Sequence, residues 1–163
     1  MPANPGPIAI IKAGLLRPTV LTALRTTAAA VLSVLLARLL KLPEYYWAPI
    51  SAIVVIESTI DPKTIAWQRF VGTALGAAIG ALIGTYFSAG VLTYAMAVFA
   101  CGAVCALFQL PGASRFASIT VTIILLIAHQ APVWRVAVHR FVEVSLGIAV
   151  GLGLALAWRI DSA

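Results

Sequence analysis

Two arginines separated by 71 positions are the first candidates for chemistry in this sequence. Arg69 and Arg140 each begin the short pattern Arg-Phe-Val inside a long apolar stretch. A guanidinium in a narrow, partly desolvated space can hold a carboxylate through two hydrogen bonds, which an ammonium does less well. Alternatively, both arginines reach lipid phosphates or pair with nearby acids. The first interpretation predicts one arginine near each mouth of a solute pathway.

Glu143 and its neighbours form the richest polar cluster. His139 and Arg140 precede Glu143 by four and three residues, so on a helix the three side chains approach one face. An unpaired charge inside an apolar segment is costly, so we expect Glu143 to pair with Arg140 or to be protonated. A His and a Glu here can couple solute movement to protons, and a structural ion pair explains them equally well.

Further polar residues are candidates for lining a solute pathway. The second and fifth apolar segments are short or interrupted, and such segments at matching places indicate a binding site in proteins built from repeats. They end at Glu57 and near His129, although ordinary loop polarity explains this equally well. We expect Glu57 either to act as a proton or counter-ion site or simply to cap the end of a helix. The other candidates are Arg25, Ser51 and Thr122.

No motif typical of an active site or a cofactor site accompanies these residues. The sequence has no HExxH or other metal-binding spacing, no phosphate-binding motif and no activated nucleophile. We therefore expect no metal, no cofactor and no enzymatic activity.

The composition places these residues in a membrane. Of the 163 residues 62% are hydrophobic and 10% are charged, and the mean hydropathy is +1.05, which leaves too little polar surface for a soluble globule. The sequence predicts an all-α integral membrane protein with six transmembrane helices after an N-terminal lead-in over 1–18. The helices are expected near 19–40, 45–60, 67–87, 91–109, 115–130 and 134–158.

The charged and aromatic residues indicate how these helices lie. The net charge of +6 is scattered singly at helix ends, so the expected partner is a lipid bilayer and not a nucleic acid. A cytoplasmic N-terminus puts seven basic residues inside and four outside, and six spans return the C-terminus to the cytoplasm. Tyr45, Tyr46 and Trp47 are expected to belong to an interfacial aromatic belt.

The sequence repeats itself at a fixed displacement. Arg69-Phe70-Val71 and Leu75-Gly76 recur 71 positions later as Arg140-Phe141-Val142 and Leu146-Gly147, and Ile53 matches Ile124 at the same displacement. Lys41-Leu42-Pro43 resembles Gln109-Leu110-Pro111 after a small gap. Membrane repeat 1 covers 19–87 and membrane repeat 2 covers 91–158, with three helices each. Because three is odd, the second unit crosses the membrane in the opposite sense, which predicts two inverted three-helix repeats.

Glycines at four-residue spacing predict a close helix contact. Small residues let two helix backbones approach, so we expect span three to pack against span six or across a dimer interface. The helix-packing glycines are Gly72, Gly76, Gly80 and Gly84, echoed by Gly147 and Gly151.

Two longer stretches resemble a known family. The run YWAPISAIVV from Tyr46 to Val55 and the run RFVGTALG from Arg69 to Gly76 are similar to the fusaric acid resistance (FUSC-like) or aromatic acid exporter family. Leu24-Arg25-Thr26, and Arg140 with Gly147, also resemble it, and plant aluminium-activated malate channels are distantly similar. The resemblance implies a bacterial inner-membrane transporter or channel for small organic anions, with export of aromatic carboxylates.

The sequence departs from that family in two ways. Glu57 stands where a neutral polar residue, often Gln, is expected. Large members also carry a second membrane half and a soluble cytoplasmic domain, so we expect this chain to form a homo-oligomer, most simply a dimer. The alternative function is a non-transporting membrane scaffold or accessory subunit whose glycine faces bind a partner helix.

Overall fold

The computed structural model describes residues 16–88, 90–127 and 132–158, with side chains from residue 20 onward. Within these ranges the chain forms six α-helices and no strand, which confirms the expected all-helical fold. Most of the expected lead-in, and the end of span five with His129, lie outside the described residues. The helices are α1 Leu16–Leu39, α2 Trp47–Ile56, α3 Pro62–Tyr86, α4 Val91–Leu107, α5 Ala113–Thr122 and α6 Val133–Ala157, with a π-helical turn Ile123–Ile127 continuing α5.

Helix length separates the six helices into two groups. Helix α1 from Val20, α3 and α6 are long and apolar enough to cross a membrane, judged by length and composition alone. Helices α2, α4 and α5 are apolar but shorter. Helix α3 begins at Pro62, earlier than the expected position near 67. The reason is that Asp61 Oδ2 accepts hydrogen bonds of 3.1 Å from the backbone N–H groups of Lys63 and Thr64.

Helices α1 and α4 end in the same kind of turn. Lys41 and Gln109 have left-handed backbones, with φ of 52° and 51°. The next residue donates its N–H five residues back in each case, from Leu42 to Ala37 O at 3.0 Å and from Leu110 to Cys105 O at 2.9 Å. This Schellman-type arrangement satisfies carbonyls that the last helical turn leaves unpaired. The resemblance between these two turns in the sequence is therefore also a resemblance in backbone geometry.

The glycine stripe of α3 packs on α5. A Cβ added to Gly72 would lie 2.7 Å from Phe116 Cβ, and one added to Gly76 would lie 2.8 Å from Thr120 Cβ. Because both contact positions advance together along the chain, α3 and α5 run parallel. The absence of a side chain lets the backbone of α5 lie against α3.

The glycines of α6 pack on α2 in the same manner. A Cβ at Gly147 would lie 2.6 Å from Ser51 Cβ, and one at Gly151 would lie 2.9 Å from Ala52 Cα. The expectation that the stripes join span three to span six was therefore wrong for these glycines and holds only for Gly84, which faces Val133 at the start of α6 and Leu125. The other stripe glycines face the short second helix of the other unit, whose small residues leave room for backbone approach.

Helices α3 and α6 cross each other in opposite directions at a phenylalanine pair. The rings of Phe70 and Phe141 lie 5.2 Å apart. On one side of this crossing Ala77 and Ala137 belong to one buried apolar cluster, and on the other Ala66 and Val144 belong to a second cluster. The phenylalanines immediately follow the two arginines in the sequence, so the crossing also brings Arg69 and Arg140 to the centre of the helix bundle.

The glycine contacts show that equivalent residues of α2 and α5, the second helices of the two units, are 69 positions apart in the sequence. Gly76 faces Thr120 as Gly147 faces Ser51, and Gly80 faces Ile124 as Gly151 faces Val55. The match of Ile53 with Ile124 at 71 positions is therefore replaced by a match of Val55 with Ile124. The displacement differs between helices because the connections between them have different lengths.

Candidate functional site

Both arginines line one small cavity at the crossing of α3 and α6. Its volume is about 20 Å³. Arg69 is 8% exposed and Arg140 is 2% exposed. The prediction of one arginine near each mouth was wrong, because the helices cross beside these residues. The lining residues are Trp47, Arg69, Thr73, Phe116, Ile119, Thr120, Ile123, Arg140 and Val144.

Arg69 is held by neutral groups. Its Nη2 donates to Ser51 Oγ at 3.2 Å, and its guanidinium carbon lies 5.1 Å from the centre of the Phe116 ring. Ser51 Oγ in turn donates to Trp47 O at 2.9 Å, so Ser51 orients the arginine while anchored to its own helix. Within the described part of the chain, no carboxylate lies at ion-pair distance from Arg69. Its Nε is buried, and no residue in the described ranges accepts a hydrogen bond from it.

Arg140 is held by an acid that the sequence analysis did not select. Its Nη2 lies 2.7 Å from Glu44 Oε2, and its guanidinium carbon lies 3.8 Å from the centre of the Trp47 ring. Its Nε and Nη1 are buried and have no hydrogen-bond partner among the described residues. A guanidinium has five N–H donors, so Glu44 satisfies only part of this group.

Glu143 supports that acid instead of pairing with Arg140. Glu143 is fully buried, and its Oε1 accepts a 2.9 Å hydrogen bond from the backbone N–H of Glu44. The expected Arg140–Glu143 ion pair is therefore replaced by an Arg140–Glu44 pair, with Glu143 holding the backbone of Glu44. Glu143 Oε2 is buried and has no hydrogen-bond partner in the part of the chain that the structure describes. His139 is half-buried, and no hydrogen bond joins it to the described residues.

Two aromatic rings stand in equivalent positions against the two guanidinium groups. Trp47 and Phe116 are 69 positions apart and lie in the first turns of α2 and α5. A guanidinium over an aromatic face gains from the negative potential of the ring. From the sequence, Trp47 was expected in an interfacial belt, and Phe116 was not selected. The turns at Lys41 and Gln109 match at a displacement of 68 positions, which pairs Trp47 with Arg115, so the turn match alone does not find this pair.

Two other candidates form a separate cluster at the end of α2. Arg25 donates from Nη2 to Ile56 O at 3.2 Å and from Nη1 to Trp158 O at 3.3 Å. Both carbonyls lie at helix ends, so Arg25 caps α2 and α6, as a cation at a helix C-terminus does. Glu57, beside Ile56, accepts a hydrogen bond from Thr26 Oγ1. Neither Arg25 nor Glu57 lines the central cavity.

Thr122 lies apart from the central cavity as well. Its hydroxyl donates to Ser118 O at 2.7 Å and lies 3.1 Å from the hydroxyl of Tyr94. Tyr94 lines a more open pocket of about 370 Å³ between the end of α3, the start of α4, the π-helical turn after α5 and the start of α6. Of the eight polar candidates from the sequence, the structure thus places Arg69 and Arg140 at the central cavity. Ser51 is bonded to Arg69, and Glu143 is bonded to the backbone of Glu44, the partner of Arg140.

These features define a class of protein: an α-helical bundle with helices of membrane-spanning length and a buried, arginine-lined cavity. The family model described as fusaric acid resistance protein-like matches residues 27–154, and the chain belongs to this family. The resemblance noted in the sequence is therefore confirmed. No curated protein and no solved structure matches the chain significantly. Family membership indicates membrane transport or efflux in general, and not catalysis.

Proposed function

We propose that the chain transports small organic anions and exports aromatic carboxylates. The observation that carries this proposal is the pair of buried arginines at one cavity, with Nε of Arg69 and both Nε and Nη1 of Arg140 lacking partners. Buried donors without acceptors are costly, and guanidinium groups are the donors best matched to a carboxylate. A carboxylate between the two groups would satisfy all three donors.

The charge around the cavity favours an anion. Glu44 balances Arg140, whereas Arg69 has only a hydroxyl and an aromatic face as partners among the described residues. A buried cation without a counter-ion attracts one strongly because the surrounding medium screens charge poorly. We therefore expect Arg69 to be the primary anion-binding residue and Arg140 to donate further hydrogen bonds to the same anion.

The central cavity is too small for the proposed solute, so the structure corresponds to a closed state of the pathway. At about 20 Å³ it accommodates roughly one water molecule and is smaller than an aromatic acid. Transport thus requires α3 and α6 to move relative to α5 and α2. The contacts that would break are those of Trp47 with Arg140 and of Phe116 with Arg69, which makes the two rings the gates of the pathway. Arg25, Glu57, Thr122 and His139 belong to the outer parts of that pathway.

The proposed setting is a bacterial inner membrane with both termini in the cytoplasm. The six helices cross it as two inverted units, 19–87 and 91–158, and two copies of the chain associate. The opposite directions of α3 and α6 at the Phe70–Phe141 crossing support this arrangement. Inverted units that open alternately to the two faces are a common basis of secondary transport.

Efflux from liposomes tests the proposal. Purified protein is reconstituted, and release of benzoate is compared with protein-free liposomes. Arg69→Ala and Arg140→Ala are expected to lower the rate by about tenfold or more, because each removes charge-assisted hydrogen bonds to the solute. Arg135→Ala is the matched control, since Arg135 is exposed and lies over Trp134 away from the cavity. Wild-type protein without benzoate flux, or central variants equal to wild type, would contradict the proposal.

A membrane scaffold or accessory subunit is the second candidate function. The small cavity and the close glycine contacts favour it, because both describe a tightly packed bundle. In that case Arg69 and Arg140 only hold helices together. A partner protein that copurifies stoichiometrically in mild detergent, together with liposomes that retain benzoate, would favour the scaffold over the transporter.

A further inference from the structure

Glu44 is the acidic residue that contacts Arg140 at the proposed solute site, at 2.7 Å. We propose that the Glu44 carboxylate competes with the solute for Arg140. It occupies Arg140 when no solute is bound, and the solute carboxylate displaces it. This inference rests on the proposed function, because it specifies how the same site is regulated.

The geometry allows exchange at Arg140. The Glu44 carboxylate takes one terminal nitrogen of the guanidinium at 2.7 Å and leaves Nη1 and Nε free. The side chain of Glu44 is 35% exposed, whereas that of Arg140 is 3% exposed. The acid is thus reachable from outside the bundle and the cation is not. An incoming carboxylate meets Glu44 first and can replace it at the same guanidinium.

The tether keeps the competing carboxylate close to Arg140. The backbone N–H of Glu44 is fixed by the buried Glu143 at 2.9 Å, and its carbonyl accepts from the backbone N–H of Trp47 at 3.1 Å. The backbone therefore stays in place while the side chain moves. A group on a short tether has an effective concentration of the order of millimolar or higher, which a free solute must exceed to compete.

The second unit has no acidic residue at the position that corresponds to Glu44. The turn match at 68 positions aligns Glu44 with Gly112, and the helix match at 69 positions aligns it with Ala113, so no acidic residue stands in the corresponding place. Gly112 has φ of 77°, a conformation that favours glycine. Arg69 therefore remains without a carboxylate among the described residues, although its position in the repeat equals that of Arg140. An incoming anion therefore meets a competing carboxylate at Arg140 and none at Arg69 among the described residues.

Equilibrium binding of benzoate to the purified full chain in detergent tests the competition. Glu44→Gln keeps the size of the side chain and removes its charge, and we expect it to lower the dissociation constant of benzoate by about threefold or more. Asp61→Asn is the matched control, because it removes one exposed carboxylate while keeping a good helix cap, and its dissociation constant is expected to equal that of wild type. Adding Arg140→Ala to Glu44→Gln is expected to abolish the gain.

The outcomes of this experiment distinguish the proposed competition from the proposed transport. Tighter binding in Glu44→Gln alone supports the competition, even if wild-type liposomes release no benzoate, which would reject transport only. Equal or weaker binding in Glu44→Gln overturns the competition, while benzoate flux in the same preparation would leave transport intact. Absence of benzoate binding to wild type and to Glu44→Gln overturns both. A gain that persists without Arg140 also overturns the competition, because Glu44 would then act through general charge.

Discussion

The indole ring of Trp47 lies 3.8 Å from the guanidinium carbon of Arg140, and Phe116 faces Arg69 at 5.1 Å in the equivalent position of the other unit. Each contact joins the second helix of one unit to the third helix of the other. The aromatic faces cover cations that water does not reach, so they contribute to stability as well as closing the cavity.

Replacing Trp47 is expected to destabilise the closed bundle. Trp47→Leu removes a ring from a packed site and the contact with Arg140, for a loss of roughly 2–4 kcal/mol in the free energy of unfolding. The melting temperature in detergent measures this loss. Trp134→Leu is the control, since Trp134 is exposed and its contact with Arg135 lies at the surface. Equal melting temperatures for the two variants would contradict a structural part for the Trp47 contact.

Gly147 is expected to tolerate no side chain. A methyl group there meets the Ala48 carbonyl and Ser51 Cβ, which requires α6 and α2 to separate. Overpacking of this kind costs about 1–3 kcal/mol, so Gly147→Ala should lower the melting temperature. Gly153→Ala on the same helix is the control, because nothing lies within 4 Å of an added Cβ. It is expected to leave stability unchanged or raise it by up to about 1 kcal/mol through better helix propensity.

Glu143 is expected to act as an acceptor rather than as the partner of Arg140. Glu143→Gln keeps an oxygen for the backbone N–H of Glu44 and should retain the wild-type melting temperature. Glu143→Ala leaves that N–H unpaired and opens a void, at a cost of about 1–3 kcal/mol. Thermal unfolding of the two variants separates the roles. If Glu143→Gln were as unstable as Glu143→Ala, the charge of Glu143 would matter more than its hydrogen bond.

Asp61 is expected to set the start of α3. Asp61→Ala removes the acceptor for two backbone N–H groups, and the loss of such a cap costs about 0.5–2 kcal/mol. Asp61→Asn should retain most of this stability, because Asn is a comparable cap. Melting temperatures of the pair provide the comparison. Similar destabilisation by both substitutions would indicate that the charge of Asp61, and not the hydrogen bonds, supports the helix.

Much of the helical fold was predictable from local patterns. Apolar runs and their Pro and Gly breaks indicated six helices, because the hydrophobic pattern and the turn chemistry act over a few residues. The predicted start of α3 was wrong by five residues, because the side chain of Asp61 caps the helix at Pro62. The displaced match of Arg69 with Arg140 was visible for the same reason: a repeated unit repeats its local sequence.

The sequence by itself determined that two equivalent arginines would stand in apolar helices and that glycines would allow close packing. Only the tertiary structure decided what these residues meet. The glycine stripes face α5 and α2, the arginines share one cavity, and Arg140 pairs with an acid 96 positions away in the chain. The spacing of residues along a helix specifies which side chains share a face. It does not specify which helix covers that face, because this depends on the crossing of α3 and α6 and on the path of the turn that carries Glu44.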